Sequence, residues 1–391
     1  MASVAGEDLP GDDQSRAVRS IVESQFEALI VRFSPAGELY SRLFRSLTED
    51  ALSGPYHDGE KRFSAINLDG VPFQWSVSIG SRRCGLRFIT EVGLAGASIS
   101  DRVIQTRTLL DALAPSLLLE NLPALDDALS CLLVDSERLN ESLMGLCLGA
   151  EFRQDGEARL KVYVNGEFGT IGERYQRLQE CLIKCRRPAA LRQLDRFVAT
   201  VGDRLKPAFL AVDLVPTGLG RIKLYLRPTD GSTELQELAA DAIGCRSAKR
   251  ALDQFHHTFL KDGDYPARSV DMCIEFPADG GAAGFKVDLC TSGFLSSDAD
   301  VDRRVRRLLA ALGGYSSTDY QIVRDVVVGI PSTLQVKQIV FVGLAARGDE
   351  HQVDVYFHPR PTPINGGPIM ASRPNCETIG AALQLGDAIQ P

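Results

Sequence analysis

Four short segments of this chain repeat one pattern: RLKVYV (159–164), RIKLYL (221–226), FKVDLC (285–290) and QVDVYF (352–357). Aligned on Lys161, Lys223, Lys286 and Asp354, they stand 62, 63 and 68 residues apart. A looser relative, QWSVSI at 74–79, precedes a longer helical insertion. Such near-equal spacing marks five structural repeats. Within a segment polar and apolar residues alternate: Arg159, Lys161 and Tyr163 share one face, Leu160, Val162 and Val164 the other. Arg221, Lys223 and Tyr225 oppose Ile222, Leu224 and Leu226 in the same way. Period two is the signature of a strand.

A second strand lies near each repeat, at 84–91, 208–214, 270–276 and 338–344. Strand, short turn and strand predict antiparallel hairpins. Helical stretches separate them. Residues 172–205 hold two, broken near Pro188, while 234–261 and 298–312 are amphipathic by spacing. Residues 102–149 read as mostly helical with interruptions at Pro115 and Pro123, and 16–50 start with one long helix.

Each amphipathic helix has to bury an apolar stripe, and the matching surfaces are the apolar strand faces. The Lys and Tyr faces then point the other way. Ten strands with helices on one side close into a barrel, which removes exposed edges. Eight strands leave an interior that side chains just fill, so ten leave a cavity. The expected fold is α+β: a closed ten-stranded antiparallel barrel of five αββα repeats, helices outside and the ligand site in the lumen. It occupies residues 15–360 as one domain, with a disordered start (1–14) and a Pro- and Gly-rich tail (361–391).

The bulk properties exclude several partners. A net charge of −8 opposes binding to nucleic acid or an anionic membrane. No apolar run is long enough to span a bilayer, and the acidic first fourteen residues are neither a signal nor a transit peptide. Nine scattered cysteines without a zinc spacing suit a reducing cytosol, so a cytoplasmic protein, monomer or homodimer, is expected. Cys181 and Cys185 read as packing residues. The five histidines form no nucleophile or metal pattern, and Trp75 reads as core.

The lumen set is Arg87, Lys161, Arg221, Lys223 and Lys286, interleaved with Tyr163, Tyr225 and Tyr356. Buried cations are costly unless paired with anions, so their convergence predicts a multiply charged anionic ligand. Diphosphate suits Arg forks and mobile Lys charges, and no GxxxxGK[ST] or GxGxxG loop is present. Tyrosine rings beside it stabilise a cation through their negative faces. The pair of features reads as ionisation of an allylic diphosphate followed by capture of the cation by an aromatic acceptor. No DDxxD motif offers magnesium ligands: Asp126-Asp127 lacks the later aspartate. Asp298, Asp300 and Asp302 have Arg303 where a calcium loop needs Gly, and read instead as N-capping of the 298–312 helix. No metal and no cofactor are expected.

With RLKVYV, RIKLYL and QVDVYF-HP, plus GVPFQWS and LRFITE, the chain over roughly residues 20–360 resembles the aromatic prenyltransferases of the dimethylallyltryptophan synthase type. The resemblance implies the prenyltransferase barrel and metal-independent transfer of dimethylallyl, sometimes geranyl, groups to indoles such as tryptophan. It also implies small-molecule donor and acceptor partners, a place in secondary metabolism such as alkaloid biosynthesis, and, from the size and compact loops, a bacterial member. By the same resemblance Arg87, Lys161, Arg221 and Lys223 hold the diphosphate, and Tyr163, Tyr225 and Tyr356 form a tyrosine shield. Lys337 stands where a further diphosphate ligand or a solvent-exposed lysine would.

Three positions depart from the family. Gln74 replaces the glutamate that bonds the indole N–H and assists final deprotonation, and an amide orients but is a poor base. Asp288 replaces a tyrosine and is a candidate base or a partner of Lys286. Phe341 stands near another shield position. The departures leave open a phenolic or other non-indole acceptor. The rival from another class is a non-catalytic barrel holding a hydrophobic or anionic metabolite.

Overall fold

Ten strands run as five antiparallel hairpins and close on themselves. The computed structural model describes residues 11–363 apart from 34–36, 59–60, 63, 65, 68, 82–83, 94–96, 121, 134–144, 217, 261–262, 292–293, 314, 316 and 330–335. A two-residue ladder, β1 (His57–Asp58) with β2 (Lys61–Arg62), stands apart. The barrel strands are β3 (Phe73–Gly80), β4 (Cys84–Glu91), β5 (Leu146–Arg153), β6 (Ala158–Asn165), β7 (Leu205–Val215), β8 (Gly218–Pro228), β9 (Val270–Phe276), β10 (Gly284–Cys290), β11 (Val336–Arg347) and β12 (Glu350–Pro363). Each pairs with its neighbours in sequence. β12 then returns to β3, with Gln352 opposite Gly80 and Phe357 opposite Trp75.

Among the described residues a pair of α-helices precedes every hairpin: α1 (Gly11–Phe33) and α2 (Gly37–Thr48), α3 (Ile99–Leu117) and α4 (Leu122–Leu132), α5 (Ile171–Lys184) and α6 (Pro188–Val201), α7 (Thr233–Ala242) and α8 (Ala248–Phe259), α9 (Asp298–Leu312) and α10 (Ser317–Val327). Local chemistry places their starts. Thr170 and Glu173 form a reciprocal capping box on α5, and Pro188 opens α6 where its missing N–H costs nothing. Gly244, at φ +79°, lies between α7 and α8 and divides the stretch read as one amphipathic segment.

Alternation sorts the strand residues as expected. Leu160, Val162 and Val164 of β6, and Ile222, Leu224 and Leu226 of β8, are buried in the shell between barrel and helices. Each such side chain contributes about 1.5–3 kcal/mol by leaving water. Trp75 is part of this shell. It stacks with Phe44 of α2, and its Nε1 donates to Gln25 Oε1 of α1 at 2.9 Å. Gln25 Nε2 donates in turn to the Pro359 carbonyl at 2.7 Å, which ties the first helix to the barrel's closing strand.

Three readings need correction. Residues 146–149 are not helical but begin β5, the tenth strand, which pairs with RLKVYV. Its sequence, LCLGAEFR, does alternate, Leu146, Leu148, Ala150 and Phe152 against Cys147, Gly149, Glu151 and Arg153, a strand period that the helical reading of 102–149 overlooks. Pro115 does not interrupt α3 but lies inside it, three residues before the left-handed Leu118 ends the helix. Ser297, not an aspartate, caps α9. Asp298 instead accepts the Gln338 and Ile339 N–H groups of β11, while Asp302 accepts from Tyr320 and Arg324. The expectations for residues 1–10 and 364–391 lie outside the described residues.

Trp75→Ala removes a fully buried ring and leaves Gln25 without its donor. It should cost about 3–5 kcal/mol of unfolding free energy, read as a lowered denaturation midpoint at unchanged cooperativity.

Candidate active site

The polar strand faces enclose a cavity of about 180 Å³. Arg87 of β4, Lys161 and Tyr163 of β6, Lys223 and Tyr225 of β8, Lys286 and Asp288 of β10 and Tyr356 of β12 all line it, with Gln74 of β3 and Phe341 of β11. Arg221 points the same way but sits behind the lining, bound to Asp213 and Glu275. Lys337 does not line the cavity. Register shifts on both sides of Ile339 break the alternation of β11, so Ile339 packs among the helices while Phe341 faces inward. Counting by twos from Phe341 therefore fails at Lys337.

The cations already have partners, because the chain supplies carboxylates of its own. Asp213 of β7 lies 3.3 Å from Lys161 Nζ and 2.7 Å from Arg221 Nη2. Glu275 of β9 pairs with Lys223, with Arg221 at 3.3 Å and with Arg347 of β11 at 2.8 Å. Asp354 of β12 sits 2.7 Å from Arg87 and 2.8 Å from Lys286, and Asp288 lies 2.7 Å from the same Lys286 Nζ. Lys286 and Asp354 are each 1% exposed. Neither could be buried there alone without a large desolvation cost.

Burial alone would raise these carboxyl pKa values. The surrounding cations outweigh it and hold Asp213, Glu275 and Asp354 below the usual carboxylate range. Burial works against the Lys286 charge too, but Asp288 and Asp354 reverse the balance and raise its pKa. Lys223 is pushed down by burial, which Glu275 opposes and Lys161 and Arg221 reinforce.

The tyrosines stay neutral phenols. Burial raises Tyr163 to about 12 against the pull of Lys223, and raises Tyr225 and Tyr356 further. Their rings meet the cations: Lys161 Nζ stands 5.7 Å from the Tyr163 centroid and Lys286 Nζ 4.9 Å from that of Tyr356. Tyr163 and Tyr225 lie 6.1 Å apart, Phe341 and Tyr356 6.0 Å. Two glycines make the room. A Cβ on Gly149 would come within 3.1 Å of the Tyr163 ring, and one on Gly343 within 2.2 Å of Asp288 Oδ1.

Asp213, Glu275 and Arg347 were missed by sequence reasoning, although a signal was present. AFLAVDL carries one acid, Asp213, and VDMCIEF two, Asp271 and Glu275, at positions whose parity faces inward. Among the described residues no cluster of three or more His, Cys, Asp or Glu side chains could hold a metal ion. No described helix is long and apolar enough to cross a membrane.

The tryptophan dimethylallyltransferase family model matches residues 39–321. No curated protein sequence gives a significant match. Among solved structures the fold is similar to 5-dimethylallyltryptophan synthase from Streptomyces coelicolor (TM-score 0.71, 19% identity, 88% of this chain and 97% of that one). It is similar also to 6-dimethylallyltryptophan synthase from Micromonospora olivasterospora, solved in complex with DMASPP and Trp (0.74, 19%, 88% and 97%). AnaPT from Neosartorya fischeri follows at 0.64 and 16% identity, covering 86% of this chain and 91% of that one. The ten-stranded barrel with helices outside is the fold they share.

The paired lumen sets the acid limit of stability. Asp213, Glu275 and Asp354 have depressed folded-state pKa values, so their contribution is complete above the unfolded values of about 4 and is lost as pH falls toward the folded ones. Thermal midpoints should therefore drop steeply below about pH 4, and less steeply in Asp354→Asn. Equal slopes in the two proteins would remove Asp354 from this linkage.

Proposed function

This chain belongs to the tryptophan dimethylallyltransferase family, and on that premise we propose that it moves a dimethylallyl group from its diphosphate to an indole or tryptophan-derived acceptor without a metal. It is a prenyltransferase, with a prenyl diphosphate and an aromatic molecule as its small-molecule partners, and its fold is shared with the Streptomyces and Micromonospora synthases. The observation that carries the reading is the convergence of Arg87, Lys161, Lys223 and Lys286 with Tyr163, Tyr225 and Tyr356 on one cavity.

In this reading Arg87, Lys161, Lys223 and Lys286 hold the diphosphate, and Arg221 reinforces them from behind through Asp213. Lys337, outside the cavity lining, has no part in the set. The allylic C–O bond breaks, its electrons leave with the diphosphate, and the cations stabilise the charge that develops there. The allyl cation lies against neutral tyrosine rings, each contributing about 0.5–2 kcal/mol. An electron-rich ring carbon attacks it, and the ring then gives up a proton. Gln74 orients the acceptor. Asp288, which lines the same cavity, takes the proton.

A second reading, transfer to a phenolic acceptor, is favoured by Gln74 alone, because a neutral amide accepts a phenol O–H as well as an indole N–H.

The test is incubation with dimethylallyl diphosphate and a panel of indoles and phenols in EDTA, followed by mass spectrometry. One added prenyl unit is expected on an indole; gain only on restoring magnesium would sink the metal-free claim. Lys161→Ala and Lys223→Ala should each lose about 1.5–3 kcal/mol of transition-state stabilisation, or 10- to 100-fold in kcat/KM. Full activity in either would take that lysine out of the site. Asp288→Asn should lower kcat by about 10² or more if it is the base, and an unchanged kcat would assign the proton elsewhere.

A further inference from the structure

The amide of Gln74 can present either its oxygen or its nitrogen to the cavity, and the two ends select different acceptors. Its orientation is decided by a residue outside the cavity lining. Asn67 is 4% exposed, and its Nδ2 donates to the Val71 carbonyl at 2.8 Å and the Phe73 carbonyl at 2.7 Å. An amide nitrogen carries two hydrogens, and both are thereby used. A flipped Asn67 would set its oxygen against two carbonyl oxygens, so the assignment follows from the network. Asn67 Oδ1 is left as an acceptor, and Gln74 Nε2 donates to it at 3.3 Å.

The segment that carries Asn67 is held in place independently. Gly70 N donates to the Asn67 carbonyl, Asp69 Oδ1 accepts from Val71 N at 3.2 Å, and the same oxygen lies 2.9 Å from His358 Nε2 of β12. Gln74 lines the cavity, and with an Nε2 hydrogen committed to Asn67 its Oε1 is the acceptor left for a ligand.

We propose that Asn67 is a positioning residue that locks Gln74 as a neutral hydrogen-bond acceptor, so that the acceptor substrate is recognised through an N–H or O–H donor on its aromatic ring. The proposal rests on the aromatic prenyl transfer argued above and specifies its acceptor. It also explains why a glutamate is out of place at 74. A carboxylate there would face Asn67 Oδ1, oxygen against oxygen, and Asn67 could turn only by abandoning the Val71 and Phe73 carbonyls.

The probes are L-tryptophan and 3-benzothienylalanine, which differ in replacing the ring N–H by sulfur at similar shape. Affinity is measured calorimetrically and transfer by mass spectrometry. The native protein should prefer tryptophan by about tenfold, and Asn67→Ala should shrink that ratio about three- to tenfold, the range of one neutral hydrogen bond. The change should fall on KM rather than kcat. A merely structural role for Asn67 would weaken both probes equally and leave the ratio intact, which would overturn the proposal. No preference in the native protein would overturn it too. Binding of neither probe, with the diphosphate donor still bound, would remove the indole reading and this inference with it; binding with an unaltered ratio removes this inference alone.

Should Asn67→Ala not fold, Gln74→Glu gives a second reading. Its protonated carboxyl can donate to Asn67 Oδ1 and still offer an oxygen to the acceptor, whereas its ionised form is repelled. The kcat/KM for tryptophan should then fall as pH rises through the introduced group's pKa. A profile that rises with pH, or one parallel to the native protein's, would show that Asn67 imposes nothing on position 74.

Discussion

The structure depends on one constraint: cations turned into a barrel must be paired before any ligand arrives. Lys286 and Asp354, each 1% exposed, have no route to water in place of each other. Desolvating either alone would cost several kcal/mol, comparable to the net stability of a domain. The carboxylates of Asp213, Glu275 and Asp354 are therefore as necessary to the fold as the aliphatic shell outside. Each bridges cations from different strands. Asp213 joins β6 to β8, Glu275 joins β8 to β11, and Asp354 joins β4 to β10.

For the proposed transfer, the same pairing preorganises the chemistry. Lysines and arginines held by fixed carboxylates need little rearrangement to face a diphosphate, and preorganised charge is the largest single source of catalytic stabilisation in many enzymes. Burial keeps Tyr163, Tyr225 and Tyr356 as neutral phenols beside those cations. Their rings can therefore face a carbocation without themselves being anionic nucleophiles that would capture it.

The departures from the family pattern are local and linked. Asp288, where the family resemblance implies a tyrosine, needs the close Lys286 ammonium and the missing side chain of Gly343 to fit. Gln74, on β3, is bonded to Asn67. A carboxyl function has thus left one wall and a different one stands on another. The lumen keeps acid chemistry available while presenting a neutral face to the acceptor.

The repeats at Lys161, Lys223, Lys286 and Asp354 were legible in the sequence because strand alternation is a local property, written in every second residue. From them followed the hairpins, the helices outside, the closed barrel and the inward direction of Arg87, Tyr163, Tyr225 and Tyr356. The strand at 146–153 also alternates, Leu146, Leu148, Ala150 and Phe152 against Cys147, Gly149, Glu151 and Arg153, but small Cys147 and Gly149 blur the period at its start. The fate of Lys337 was not legible, because a bulge depends on the partner strand and resets the parity. Which carboxylate meets which cation was decided only by tertiary structure. Those contacts join strands whose relative height is set by the shear of the closed barrel, a quantity that no single segment contains.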